Sequence, residues 1–207
     1  MIVVGLDLSM TSAGIAILRN GRPVHLGTEG VKGGIKSWHH RRQRITDQAA
    51  RVTDRILNTI GYPDYGAIEA PLTFGNEHSA DSYDRYTLAM TVSSILDSWG
   101  CPHQMVHNQT RARWATGKGD ASTKDLTAKQ RKARVTAAVR TTWKPWRAHI
   151  LNDDIADALT LAEICARHVR DELHFPIRRY QAETLTKLDW PSIPCTKPEH
   201  PQVGAPR

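Results

Sequence analysis

The sequence predicts an α/β fold, a mixed sheet of five strands flanked by helices, from three observations. The first thirty residues hold three short strand-like runs in succession, two of them joined by a tight turn. From Ser37 onward, helical periodicity alternates with short apolar runs, the order that places covering helices on a layered sheet. Two of the apolar runs end on or beside a carboxylate, and functional groups of open α/β sheets collect beyond the carboxyl ends of strands.

Local pattern justifies each element in turn. "IVVGLD" (2–7) reads as a central strand ending on Asp7. "SAGIAILRNGRPVHLGTEG" supplies two more strands around Asn20-Gly21, a dipeptide that tolerates the positive φ of a two-residue hairpin turn. Ile45, Ala49, Val52, Ile56 and Ile60 recur every three or four residues, an amphipathic helix over 37–60 that Gly61, Tyr62 and Pro63 end. "YGAIEA" (65–70) is a short strand carrying Glu69, and Pro71, which has no N–H to donate, stops its pairing. Tyr86, Met90, Val92, Ile95, Leu96 and Trp99 place a helix over 81–99, closed by Gly100. "HQMVHN" (103–108) is the last candidate strand. A short helix, the Gly-rich loop "TGKGD", a basic helix from about Thr127 to Trp143 and the helix "LNDDIADALTLAEIC" (151–165) complete the body. Beyond His174 periodicity fades and prolines stand at 176, 191, 194, 198, 201 and 206. The expected organisation is therefore a domain over 1–174 and a mobile Pro-rich tail over 175–207.

Bulk numbers exclude several classes. A hydrophobic share of 40% and a charged share of 24% are those of a soluble globular protein. No apolar run approaches the ~20 residues of a membrane helix, and "MIVVGLDLSM" lacks a signal-peptide pattern, so no membrane partner is expected. Cys101, Cys165 and Cys195 are odd in number and widely spaced, which fits neither a disulfide framework nor a zinc site and suits a reducing cytoplasm.

The net charge of +7 is segregated. Residues 108–147 carry eleven Lys or Arg against Asp120 and Asp125, a window of +9 that leaves the remainder near −2. "KSWHHRRQR" (36–44) adds four bases and two histidines without an acid. A charge run is commonly just a solvated helix face, but two basic clusters apart from an acidic set are the footprint of a polyanion, with nucleic acid foremost.

Four acids stand against apolar surroundings: Asp7, Glu69, Asp154 and Asp157. A lone acid at a strand end or helix start is ordinary, and Asn152 or Asp153 is expected to cap the last helix. Asp154 and Asp157, three apart, share one helix face that can meet the two strand-end carboxylates. Like charges so close raise each other's pKa unless a cation neutralises them. Hard oxygen donors suit Mg²⁺ or Mn²⁺. Two such ions ~3.5–4 Å apart activate a water and stabilise the leaving oxygen of a phosphodiester.

"VGLDLSMTSAGIAIL", "GAIEAPL" and "DDIADALTLAEIC" resemble, in order, the three acidic motifs of RuvC-type Holliday-junction resolvases within the ribonuclease H-like superfamily. "TRARWATGKGDA" and "KARVTAAVRTTW" are similar to that family's basic helix, Gly loop and following helix, so the resemblance spans about residues 1–170. It implies a ribonuclease H-like fold and a magnesium-dependent endonuclease that resolves four-way DNA junctions as a homodimer, by paired nicks leaving 5′-phosphates. It implies metal ligation by Asp7, Glu69, Asp154 and Asp157, with Asp153 an extra acid beside the motif. Lys132 matches a lysine that supports the scissile phosphate, and Arg111 or Arg113 stands near a second basic position. Lys118, Lys124 and Arg134 complete the expected DNA-binding set.

The chain also departs from the family pattern. Where the family often has an aromatic wedge three positions after the strand glutamate, this chain has Leu72, with Phe74 two residues further on; both remain candidates to open the junction. The loop before Lys132 is longer than the family's. Such departures suit a divergent member, viral or otherwise, with relaxed substrate choice, and a flap nuclease or a non-catalytic junction binder are the rival readings. "GVKGGIKS" (30–37) nearly spells a phosphate-binding loop, but Ile35 replaces a glycine and would crowd the phosphate, so no nucleotide cofactor is expected. Trp38, Trp114, Trp143 and Trp146 suit either base stacking or the more common role of core anchor.

Overall fold

In the computed structural model, which describes residues 1–33, 37–71, 80–118 and 125–191, the first three runs form an antiparallel meander. Strand β1 (Ile2–Asp7) pairs with β2 (Ala13–Arg19), which pairs with β3 (Arg22–Glu29). Asn20 and Gly21 both take positive φ, 49° and 70°, closing the hairpin as the dipeptide foretold. Helix α1 (Trp38–Ile60) begins on Ser37, whose hydroxyl accepts from the His40 amide, and carries the chain to β4 (Tyr65–Glu69), parallel to β1. Helix α2 (Ala80–Ser98) leads to β5 (His103–Val106), parallel to β4. The five-stranded sheet runs β3-β2-β1-β4-β5 and is mixed. No helix of the described residues is long and apolar enough to cross a membrane.

Helix α3 (Asn108–Thr116), helix α4 (Ala128–Thr142), a 3-10 turn over Lys144–His149 and helix α5 (Asp153–His168) follow. Thr127 and Gln130 form a reciprocal capping box that starts α4. Alternation along the strands separates two cores. Val4, Leu6 and Ile68 pack against α1 and α2, whereas Val3, Tyr65 and Ala67 face α5 and its neighbours α3 and α4. Every residue of α5 from Ile155 to Ala166 is buried, so this helix is the centre of its layer.

Two glycines let α5 lie directly on the sheet. A Cβ at Gly5 in β1 would stand 2.1 Å from the Ala158 carbonyl oxygen and 2.3 Å from the Ala162 nitrogen; one at Gly14 in β2 would meet the Asp154 carbonyl oxygen at 2.1 Å. No side chain fits between the backbones at either position.

The expected mobile tail needs correcting as far as residue 191. A further helix, α6 (Arg179–Leu185), docks on the body by burying Gln181 and Thr184, and Trp190 stacks on His168 with ring centres 4.1 Å apart. Because its buried residues are polar and Leu185 is the one apolar side chain of α6 against the core, no apolar period betrayed it. Residues 192–207 lie outside the described residues, as do Leu72, Phe74, Lys124 and positions 34–36 of the phosphate-loop look-alike.

Gly5→Ala is expected to cost about 3 kcal/mol, the upper part of the overpacking range, because backbone rather than a flexible side chain opposes the new methyl. A lowered urea midpoint at unchanged slope would register it; a midpoint within error of the parent's would show that α5 can lift off β1 freely.

Candidate metal centre

Strand register aligns the first two acids. Leu6 of β1 sits opposite Ile68 of β4, and both side chains point into the α1/α2 core. The next residues, Asp7 and Glu69, therefore turn to the opposite face at neighbouring strand ends, towards α5. Helix α5 starts on Asn152, whose side chain accepts from the Ile155 amide at 2.9 Å, so Asn152 is the cap and Asp153 and Asp154 occupy the first turn. Carboxylates there are favoured by the positive end of the helix dipole. One turn later, Asp157 is 5% exposed and faces the strand ends.

Asp7, Glu69 and Asp157 bring one carboxylate oxygen each to within 4.8 Å of one another. Burial raises the Asp7 pKa well above the ordinary carboxylate range, and the charges of Glu69 and Asp157 add to it against the opposing Arg111. Burial likewise pushes Asp157 up to about 7, although Arg111 pulls the other way. Asp154 does not join the trio: Ser12 donates its hydroxyl to Asp154 Oδ2 at 2.5 Å. Asp153 accepts from Lys132 Nζ at 2.6 Å, which lowers the Asp153 pKa and raises that of Lys132. Of the four acids expected to hold metal, three converge and Asp154 stands beside them.

Arg111 is the residue whose place sequence reasoning missed. Expected on the DNA-facing surface, it is 8% exposed and lies inside the acid cluster. Its guanidinium donates to Asp157 Oδ1, and its Nε lies 3.0 Å from Glu69 Oε2 in an ion pair too poorly aligned to count as a hydrogen bond. Burial disfavours its charge, but Glu69, Asp157 and Asp7 outweigh that and raise its pKa. The overlooked signal was helical phase: Arg111 shares a face of α3 with buried Trp114 and Ala115, at spacings of three and four.

The other basic residues stay outside. Arg113, Lys118 and Lys132 are exposed and Arg134 half-buried. Along α4 an open groove of about 960 Å³ is lined by Lys129, Lys132, Lys144 and Arg147 over small side chains, and it ends at Asp153 beside the trio. Trp114 and Trp143 are fully buried core anchors. Each donates its indole N–H, at 2.9 Å, to the buried carboxylate of Glu163.

The trio suits a hard divalent cation. It offers oxygen donors only, includes a buried Glu69 oxygen with no hydrogen bond, and holds protons that a cation would displace. Fold and site together define an α/β protein with a cation-ready acidic cluster at the carboxyl end of a mixed sheet. Among solved structures the chain is similar to T. thermophilus RuvC in complex with Holliday junction substrate, at TM-score 0.53 and 20% identity over 78% of this chain and 90% of that one. It is equally similar to the Thermus thermophilus RuvC structure, at TM-score 0.53 and 19% identity over 78% and 91%. No protein-family model matches the chain, and no curated protein does. The likeness establishes a RuvC-like fold within the ribonuclease H-like class.

Asp157 makes stability depend on pH. Its carboxyl ionises at an ordinary 3.8 when unfolded but at about 7 when folded, so its stabilising contribution is full below about pH 4 and is lost as pH rises through 7. Relative to wild type, Asp157→Asn should therefore melt several degrees higher at pH 8 than at pH 5 in chelator, at roughly 2–4 °C per kcal/mol. Calorimetry at both pH values measures this; a difference that does not change with pH means that Asp157 is already ionised at pH 5.

Proposed function

We propose that the protein is a divalent-metal-dependent, structure-selective DNA endonuclease that resolves four-way junctions by paired nicks. The observation that carries this reading is the carboxylate trio at the ends of β1 and β4, opening beside the basic groove of α4. Asp7, Glu69 and Asp157 would hold Mg²⁺ or Mn²⁺, with the charge of Asp154, held by Ser12, acting from outside the trio. A bound ion there supplies an activated water and offsets charge at the scissile phosphate.

The chain's own residues do the remaining work. Lys132, more than half exposed at the rim, exchanges its Asp153 partner for a phosphate oxygen and offsets charge developing there. Lys129, Lys144 and Arg147 track the backbone along the groove. Asp7, at the end of β1, orients its neighbours and takes no part in DNA binding. Two copies related by a two-fold axis would match a junction of the same symmetry and place one nick on each of two opposed strands.

A second reading is favoured by Arg111, which ties two of the three carboxylates without any metal. On that reading the acids are structural and the protein binds junctions without cutting them.

Labelled four-way junction, flap and linear duplex incubated with Mg²⁺ or Mn²⁺ separate these readings. Symmetric nicks confined to the junction, ending in 5′-phosphates, support the resolvase; cleavage of flaps or duplex points to a nuclease of broader choice. Tight binding without cleavage supports the junction binder. Asp7→Asn is expected to lower cleavage by at least 10²-fold while junction affinity stays within about twofold, and cleavage at the wild-type rate would sink the proposed centre. Junction affinity should also fall steeply with salt, as expected where several phosphates are neutralised.

A further inference from the structure

The acid cluster already contains a cation. Arg111 reaches from the first turns of α3 into the gap between Glu69 and Asp157, with its own charge also felt at Asp7. It is more than nine-tenths buried, and its Nε has no hydrogen-bond partner. A buried guanidinium ordinarily spends all its donors. Here Nε lies against a Glu69 oxygen that is also without a hydrogen bond, so charge holds the contact to Glu69 while a directed bond holds the contact to Asp157.

Charge counting then limits what else can enter. With the protons displaced, three carboxylates and one guanidinium leave two negative charges, which a single divalent ion neutralises. A second divalent ion would give a partly buried site a surplus of two positive charges, with the fixed guanidinium repelling it at contact distance. A fourth carboxylate, Asp154, is held by Ser12 outside the trio; its charge is felt at Asp7 and reduces that surplus by one without removing it. Lys132 does not compete for the same place, because it is exposed and paired with Asp153.

We propose that Arg111 is the resident second cation of the Asp7–Glu69–Asp157 cluster, so that the free protein takes up one divalent ion rather than the two expected from the sequence. The inference rests on the metal-dependent reading above. In it, Arg111 is a positioning residue: it holds Glu69 and Asp157 apart and supplies one positive charge, half that of a divalent ion, without the entropy cost of capturing it.

The test counts Mn²⁺ bound to the full chain without DNA, by isothermal titration calorimetry and by electron paramagnetic resonance of the free ion. Wild type should bind one Mn²⁺ per chain, and Arg111→Lys, which keeps the charge, should do the same. Arg111→Gln should either admit a second Mn²⁺ or bind the first at least tenfold more tightly. Two ions on wild type, or an Arg111→Gln variant with the wild-type count and affinity, overturns the role given to Arg111 while leaving a metal-dependent enzyme intact. No Mn²⁺ binding by folded wild type removes the metal-dependent reading itself. Should Arg111→Gln not fold by circular dichroism, the wild-type and Arg111→Lys counts decide, with two ions on either overturning the inference.

Discussion

The close approach of α5 to β1 and β2, with glycine at both crossing points, sets the position of the site. Gly5 and Gly14 let the helix backbone rest where a side chain would otherwise hold it away. Helix α5 is then buried on every side, which fixes its rotation as well as its height. Fixed rotation matters because Asp157 must point at two strand ends whose direction is already set by the pleat. An ångström of lift at Gly5 would carry Asp157 away from Asp7 and Glu69 with no change in the site's own residues. Core packing and site geometry are here the same constraint.

Two buried acids on α5 show how environment separates structure from chemistry. Glu163 accepts from the Trp114 and Trp143 indoles and from Gln181, all neutral donors, and burial raises its pKa. Nothing in that arrangement calls for a further ligand, and it ties α3, α4 and α6 to α5. Asp157, less than two turns earlier, faces two other carboxylates and accepts from a guanidinium that is misaligned towards Glu69. The cluster is incomplete in charge, and one Glu69 oxygen is left without a hydrogen bond. Such an imbalance costs stability in the free protein and is the condition under which a cation is bound usefully.

The sequence made legible what depends on period and strand order. The hairpin at Asn20-Gly21, the alternating strands, the long amphipathic α1 and the acids ending β1 and β4 were all readable because local pattern and tertiary role agree there. The mixed sheet followed from order alone. Arg111 was hidden because an arginine in a basic stretch looks like surface until its helical phase is set by Trp114. Asp154 and Asp153 were ambiguous because a three-residue spacing shows a shared face but not that Ser12 and Lys132 engage them first. Helix α6 was invisible because it buries Gln181 and Thr184, polar residues that periodicity does not count, beside a single half-buried Leu185.

That hidden arginine also changes the meaning of the basic window over 108–147. Read as a sum, the window is a single polyanion-binding surface. In the fold, helical phase divides it into parts with different work. Arg111 turns inward and is spent on the acids. Arg140 turns back onto the Ile150 and Leu151 carbonyls and fastens α4 to the start of α5. Lys129, Lys132, Lys144 and Arg147, with Arg140 beside them, line the groove that includes Asp153. Net charge therefore overstates the charge presented to a phosphate backbone. What it understates is placement: five of the window's cations line one groove, and Lys132 among them is held by Asp153 next to the cluster.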